Sequence, residues 1–275
     1  CQSSSPTEPC LLMEQRRVCV FWKPPGWAAS VASADGDWSG AEHAAANVER
    51  GASGLLQVRQ WLAQRFGEHP IVKDGAASHG LVHRLDRDTS GALLWAKGYA
   101  GLHLARLQFA LRRVRKGYLC AVLGRPRGRR LLQAPLAEVE GSQGLSRSVI
   151  DSAGGRPAKT ELLAAGHFAG PEGDRVSLVE VLLHTGRMHQ IRAHMSHDGH
   201  PLIGDALYGA GAVPWSTRMF LHAWNLVLDA GEGPLCIEMP LPADLRVAGA
   251  SLEPAGGADR ALLERWLTAA AWPKK

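Results

Sequence analysis

With 275 residues and 45% apolar content, the chain can build one large domain or two small ones around a real core. A net charge of +5 and a pI near 9.1 favour a polyanionic partner; no apolar run approaches the ~18–20 residues that span a bilayer, and no secretory signal pattern opens the chain. Five cysteines, an odd number without a Cys-x-x-Cys, signal neither a disulfide framework nor a zinc ribbon, and point to a reducing compartment.

The chain opens on Cys1 rather than Met, as a fragment or processed product would. Residues 1–17 are rich in Ser, Pro, Glu and Arg and read as a flexible lead-in. Val18 to Trp22 reads as a strand, stopped by Lys23-Pro24-Pro25-Gly26 because proline cannot continue a ladder. An insertion follows over about 28–79. Within it Ser53 reads as an N-cap, Leu55, Val58, Leu62 and Phe66 recur at helical spacing, and Gly67 stands at the C-terminal end. Ala92 to Ala96 is a short buried strand. A helix over about 100–114 carries a stripe of Leu104, Leu107, Leu111 and Val114. From Arg106 to Arg130 there are nine Lys/Arg and no Asp or Glu, a one-signed stretch suited to nucleic acid.

Tyr118 to Leu123 reads as a buried strand, Arg125 to Arg130 as a basic loop, and 134–158 as irregular. Thr160 to Ala165 and Val176 to Leu183 are strand candidates. His184 to Met195 reads as a strand end, a glycine turn and a helix ending at Gly199. A turn-rich loop from Pro201 to Gly209, strands over Met219–Leu228 and Leu235–Met239, and a packing helix over about 258–271 complete the chain. The globular part is expected over 18–250, with 251–275 as the C-terminal packing helix.

The stretch His83-Arg84-Leu85-Asp86-Arg87-Asp88-Thr89-Ser90-Gly91 is too polar for its apolar flanks. From spacing alone, a surface turn held by Arg–Asp pairs and a functional loop are equally good readings. His-Arg-Leu-Asp-x-x-Thr-Ser-Gly resembles the signature of the RluA-type RNA pseudouridine synthases. Further segments resemble that family in its order: Lys23-Pro24-x-Gly26, Lys116-x-Tyr118, Thr185-Gly186-Arg187-x-His189-Gln190-Ile191-Arg192-x-His194, and Gly204-Asp205-x-x-Tyr208-Gly209 with Leu221-His222-Ala223. Trp22 departs from the pattern, where Asn is usual. The resemblance spans about residues 18–242.

The resemblance implies an α+β fold: a bent, mainly antiparallel sheet in two halves, flanking helices and a central cleft. It implies isomerisation of uridine to pseudouridine in structured rRNA or tRNA, without cofactor or metal. Asp86 would be the nucleophile or base, kept ionised and aimed by Arg192, and Tyr118 would stack on the detached uracil. Arg84 would fill the space left by a flipped base. Lys23, Lys116, Arg112, Arg113, Arg127, Arg129 and Arg130 would grip phosphates, and Arg187, His189 and Gln190 would lie on the substrate side. Asp88, Thr89 and Ser90 would hold the turn, and Gly91 would serve backbone conformation or close approach. The expected partner is RNA, with no membrane and no obligatory protein partner; the chain would act as a monomer in the cytoplasm or an organelle.

Other readings carry less. His184, His189, His194, His197 and His200 lack a His-Glu-x-x-His pattern and a cysteine partner, so a metal site is not expected; His189 and His194 should bond backbone or phosphate. The kinase His-Arg-Asp loop has none of its companion motifs here. Asp86 and Asp88 alone do not make a glycosidase pair. The alternative from another class is a non-catalytic RNA-binding protein that keeps the fold; the presence of Asp86, Tyr118 and Arg192 argues for the enzyme.

Overall fold

The computed structural model describes residues 5–29, 57–140 and 146–268. The expected N-cap Ser53 and most of the 28–79 insertion lie outside them. Elements are of α+β type with antiparallel strand pairing. The chain divides into two compact units, one of Pro6–Val114 with Leu226–Ile237, the other of Arg115–Asn225 with the two chain ends.

The first unit holds β1 (Cys10–Glu14), β2 (Val18–Lys23), α1 (Val58–Arg65), β3 (Ser90–Ala96) and α2 (Tyr99–Ala110). Strand β2 pairs antiparallel with β1 on one side and β3 on the other. Residues 10–14 fall inside the expected flexible lead-in. They form a strand because β2 offers a free edge, and Leu11 and Met13 take part in the ladder. Both β2 and β3 are buried at every position, so each reads as an unbroken apolar run rather than an alternation. Helix α1 covers them through an aromatic cluster. Phe21 of β2 meets Trp61 edge-on at 5.2 Å and Phe66 at 5.4 Å, and Phe66 lies 5.1 Å from Trp95 of β3.

Helix α2 corrects the expected stripe. Its buried residues are Gly101, Leu102 and Ala105, whereas Leu107 and Leu111 are each 50% exposed. The helix approaches so closely that a Cβ at Gly101 would lie 2.5 Å from the Arg17 carbonyl oxygen. That approach selects the face with small residues.

The second unit is built on β4 (Arg115–Leu123), β8 (Thr160–Ala169) and β9 (Arg175–Leu183), with β9 in the middle. Short strands β5 (Arg130–Leu132) and β12 (Glu253–Pro254) add to β8. Residues 134–158, expected to be irregular, contain a two-stranded ribbon of β6 (Leu136–Glu140) and β7 (Ser146–Ile150), whose mixed composition hides the pairing. Helix α3 (Gln190–His197) follows β9. Strand β10 (Leu221–Asp229) begins in this unit and ends in the first, where β11 (Pro234–Glu238) pairs with it. Helices α4 (Ala243–Ala250) and α5 (Gly257–Thr268) pack Leu245, Ala248, Leu263 and Trp266 onto a core with Leu119, Phe168 and Leu178. Trp266 also donates its indole N–H to Glu180 of β9 at 3.2 Å, so the expected packing helix is anchored by a polar contact as well.

Candidate active site

In the first unit, the polar stretch between Val82 and β3 forms a tight turn. The Thr89 N–H bonds the Asp86 carbonyl at 3.0 Å, so Asp86, a half-buried residue, opens the turn. His83 fixes the entry. Its Nε2 accepts the Leu94 N–H at 3.0 Å, in the place of a backbone carbonyl, and its ring stacks on Phe109 at 5.4 Å. Because Nε2 accepts, the ring hydrogen sits on Nδ1. Leu85 is buried and pins the middle of the stretch. Gly91 has φ +137°, a conformation that side chains disfavour, so the exit into β3 requires glycine.

Lys23 closes the turn from below and corrects an expectation. It is 0% exposed, and its ammonium donates to the Pro24 and Arg87 carbonyls, each at 2.9 Å. The Arg87 carbonyl also accepts the Gly26 N–H at 2.9 Å. A lysine buried on backbone oxygens braces the Asp86 turn and does not grip phosphate. Trp22, which departs from the family pattern, donates its indole N–H to the Pro6 carbonyl at 2.9 Å. Asp88 pairs with its neighbour Arg87, not with Arg84. Arg84 is exposed and makes no hydrogen bond or ion pair among the described residues. The Thr89 hydroxyl is buried without a hydrogen-bond partner among them, so it does not hold the turn as expected; the Thr89 backbone does.

In the second unit, Tyr118 lies buried on β4 opposite Val181 of β9. The Thr185–Gly186–Arg187 turn leaves β9 and enters α3. Gln190, only 2% exposed, is its bracket. Its amide nitrogen donates to the Lys159 carbonyl and the Thr160 hydroxyl, and its oxygen accepts from the Thr185 hydroxyl and the Arg187 N–H. Two donors and two acceptors are all that an amide offers, so Gln190 has no capacity left for substrate. That replaces the expected substrate contact with a structural one. Lys116, 9% exposed, donates to the Thr185 carbonyl at 3.1 Å. Burial, with the Arg187 charge nearby, pulls its ammonium down to about 8. It supports the turn from beneath instead of reaching for phosphate.

His194 continues the same network. It accepts at Nδ1 from the Thr160 hydroxyl and donates from Nε2 to the Ala134 carbonyl, at 2.8 and 2.9 Å. Burial lowers its pKa, which keeps the ring neutral, as this pattern requires. His189 has φ +50° at the start of α3, and its Nδ1 meets the Tyr208 hydroxyl at 3.2 Å. Arg187 remains half-exposed, with Nε on the Pro157 carbonyl at 3.3 Å.

Arg192 is held by residues to which the sequence assigned no role. Its Nε and Nη2 bond the two oxygens of Asp205 at 2.7 and 2.9 Å, and its guanidinium lies 4.9 Å from the centre of the Tyr208 ring. The signal was available in the Gly204-Asp205-x-x-Tyr208 segment, but a carboxylate in a loop does not declare its partner.

The basic run is less one-signed in space than in sequence. Arg129 bonds Glu161 through Nε and Nη2, Arg130 pairs with Asp198, and His184 also meets Glu161. The hydrogen bonds from Arg129 and then His184 hold the Glu161 carboxyl below its usual range. Arg112, Arg113, Arg115, Arg125 and Arg127 stay exposed, without an ion pair among the described residues.

The fold matches solved structures named for an RNA pseudouridylate synthase domain. The human RNA pseudouridylate synthase domain containing 1 superposes with a TM-score of 0.66 at 25% identity, covering 97% of both chains. Its domain containing 4 counterpart gives 0.61 at 20%, which speaks for the fold alone. The family model "RNA pseudouridylate synthase" matches residues 61–197. The tRNA pseudouridine synthase C of Pasteurella multocida is 34% identical over 64% of this chain and 78% of its own length. The ribosomal large subunit pseudouridine synthase C of Vibrio cholerae is 32% identical over 88% and 68%. The chain therefore belongs to the RNA pseudouridylate synthase family, of the RluA type. It spans 53%, 62% and 60% of the length of three other relatives, including the synthase D of Nitrosomonas europaea. Among the described residues no helix is long and apolar enough to cross a membrane.

Proposed function

We propose that the protein isomerises uridine to pseudouridine in structured ribosomal or transfer RNA. The reaction breaks the bond between ribose C1′ and uracil N1, rotates the base and joins C1′ to C5; the C5 hydrogen leaves as a proton, and N1 gains one. Asp86 acts on the ribose or base as nucleophile or general base. Arg192 favours its ionised form, and Tyr118 stacks on the detached uracil. The observation that carries this reading is the Asp86 turn, where a full family signature is braced by the buried Lys23 and the half-buried His83 and leaves Arg84 exposed.

Arg84 enters the RNA stack as the uridine flips out, at a cost of a few kcal/mol. Arg112, Arg113, Arg187 and His189 contact the RNA backbone. The protein works as a monomer, without an obligatory protein partner, in a reducing compartment of the cytoplasm or an organelle. Release of tritium to water from RNA labelled at uracil C5 tests the activity directly. Release that is abolished in Asp86→Asn supports it. Binding of RNA without release from ribosomal or transfer RNA leaves the non-catalytic RNA-binding protein.

A further inference from the structure

We infer that Asp205 is a positioning residue for the reaction: with Tyr208 it holds the Arg192 guanidinium in one orientation on the second unit. The inference rests on the reading of Arg192 as an active-site cation.

Arginine has five N–H groups in a plane, so its direction is fixed only when one edge is held. Asp205 takes the Nε/Nη2 edge with both oxygens. The pair is almost fully enclosed, with side-chain exposure of 12% for Arg192 and 1% for Asp205. Tyr208, three residues further on, lies against the guanidinium. Held on one edge, the guanidinium presents its remaining N–H groups in a single direction.

The holder is itself fixed. Oδ1 of Asp205 also accepts the Leu207 and Tyr208 N–H groups at 3.2 and 3.3 Å, and its carbonyl accepts those of Gly209 and Ala210. Gly204 precedes it at φ +75°, where a Cβ would stand 2.5 Å from the Arg218 carbonyl oxygen. The Tyr208 hydroxyl accepts the Ser148 N–H and donates to the Ser148 carbonyl, at 2.8 and 3.0 Å, which ties the β6–β7 ribbon to the same cluster.

The test uses the whole chain, with Asp205→Asn, Asp205→Glu and Arg192→Gln, each checked for folding by circular dichroism. In folded Asp205→Asn, kcat should fall about 100-fold, the scale of a misplaced catalytic group, while KM for the RNA changes little. Asp205→Glu should recover much of that activity. In the 15N spectrum of the wild type, the Arg192 Nε–H, assigned by its absence in Arg192→Gln, should exchange slowly with water. That measurement stands even if Asp205→Asn does not fold. Wild-type kcat in folded Asp205→Asn, or a freely exchanging Nε–H in the wild type, overturns the inference. Full activity in Arg192→Gln instead overturns the underlying assignment of Arg192.

Discussion

Lys116 gives the fold a measurable pH signature. Its ammonium is buried beneath the Thr185 turn, and its pKa falls from the ordinary 10.5 to about 8. Between those values the unfolded chain binds more protons than the folded one, so stability rises with pH across that window. Below pH 8 the folded protein carries a cost of about 3 kcal/mol, the difference taken at 1.36 kcal/mol per pH unit. Lys116→Met keeps the length of the side chain and removes the charge. It also removes the bond to the Thr185 carbonyl, worth about 1 kcal/mol net. The part of that bond which the neutral amine also makes does not vary with pH, whereas the charge cost does. Urea denaturation of both proteins at pH 7 and pH 10 should show the wild type gaining about 2–3 kcal/mol on the variant at the higher pH. Other groups that titrate in this range cancel in the difference. Parallel stability curves would refute the reasoning and place the Lys116 ammonium in water.

Gln190→Leu removes four side-chain hydrogen bonds, one of them fully buried, and should cost about 3 kcal/mol, read as a fall in melting temperature of about 2–4 °C per kcal/mol. For His194 the folded pKa lies below the unfolded value, so stability should fall as pH drops below about 6.5 and level off once the folded ring protonates. His194→Gln, though less stable at pH 7, should lose less on acidification in the same denaturation series; an equal decline would exonerate this histidine. Charge reversal at the exposed Arg125 and Arg127 should weaken RNA binding and lower the salt slope by about 1 for each phosphate no longer neutralised, measured by filter binding at several salt concentrations. An unchanged slope would make that loop a bystander.

Much of this was legible in the sequence, and the reason differs by element. Strands β2, β3, β4 and β9 are buried along most of their length, so their apolar runs announce them. Helix α2 stands where its spacing puts it, but with a different face buried. Periodicity picks out large apolar residues, and the close approach at Gly101 rewards small ones. Ribbon β6–β7 and strand β1 escape a reading by composition because their pairing partners make them strands. At the candidate site, motif matching locates Asp86, Tyr118 and Arg192 without saying what holds them. Lys23, Lys116 and Gln190 resemble substrate contacts because charge and polarity are visible in a sequence and burial is not. The basic run misleads for a related reason: Glu161 and Asp198, which balance Arg129 and Arg130, lie more than thirty residues away.

The unit that carries Asp86 is not one continuous segment. Residues 6–114 are completed by Leu226–Ile237, and the Arg16 N–H and Arg17 guanidinium already reach Glu232 and Gly231. On the ribosome, the stretch bearing the proposed nucleophile emerges early and must wait for more than a hundred further residues before its unit is whole. Translation therefore withholds a finished Asp86 unit until the Tyr118 and Arg192 segments have been synthesised. The same threading means that no single cut in the chain releases that unit as an independent piece.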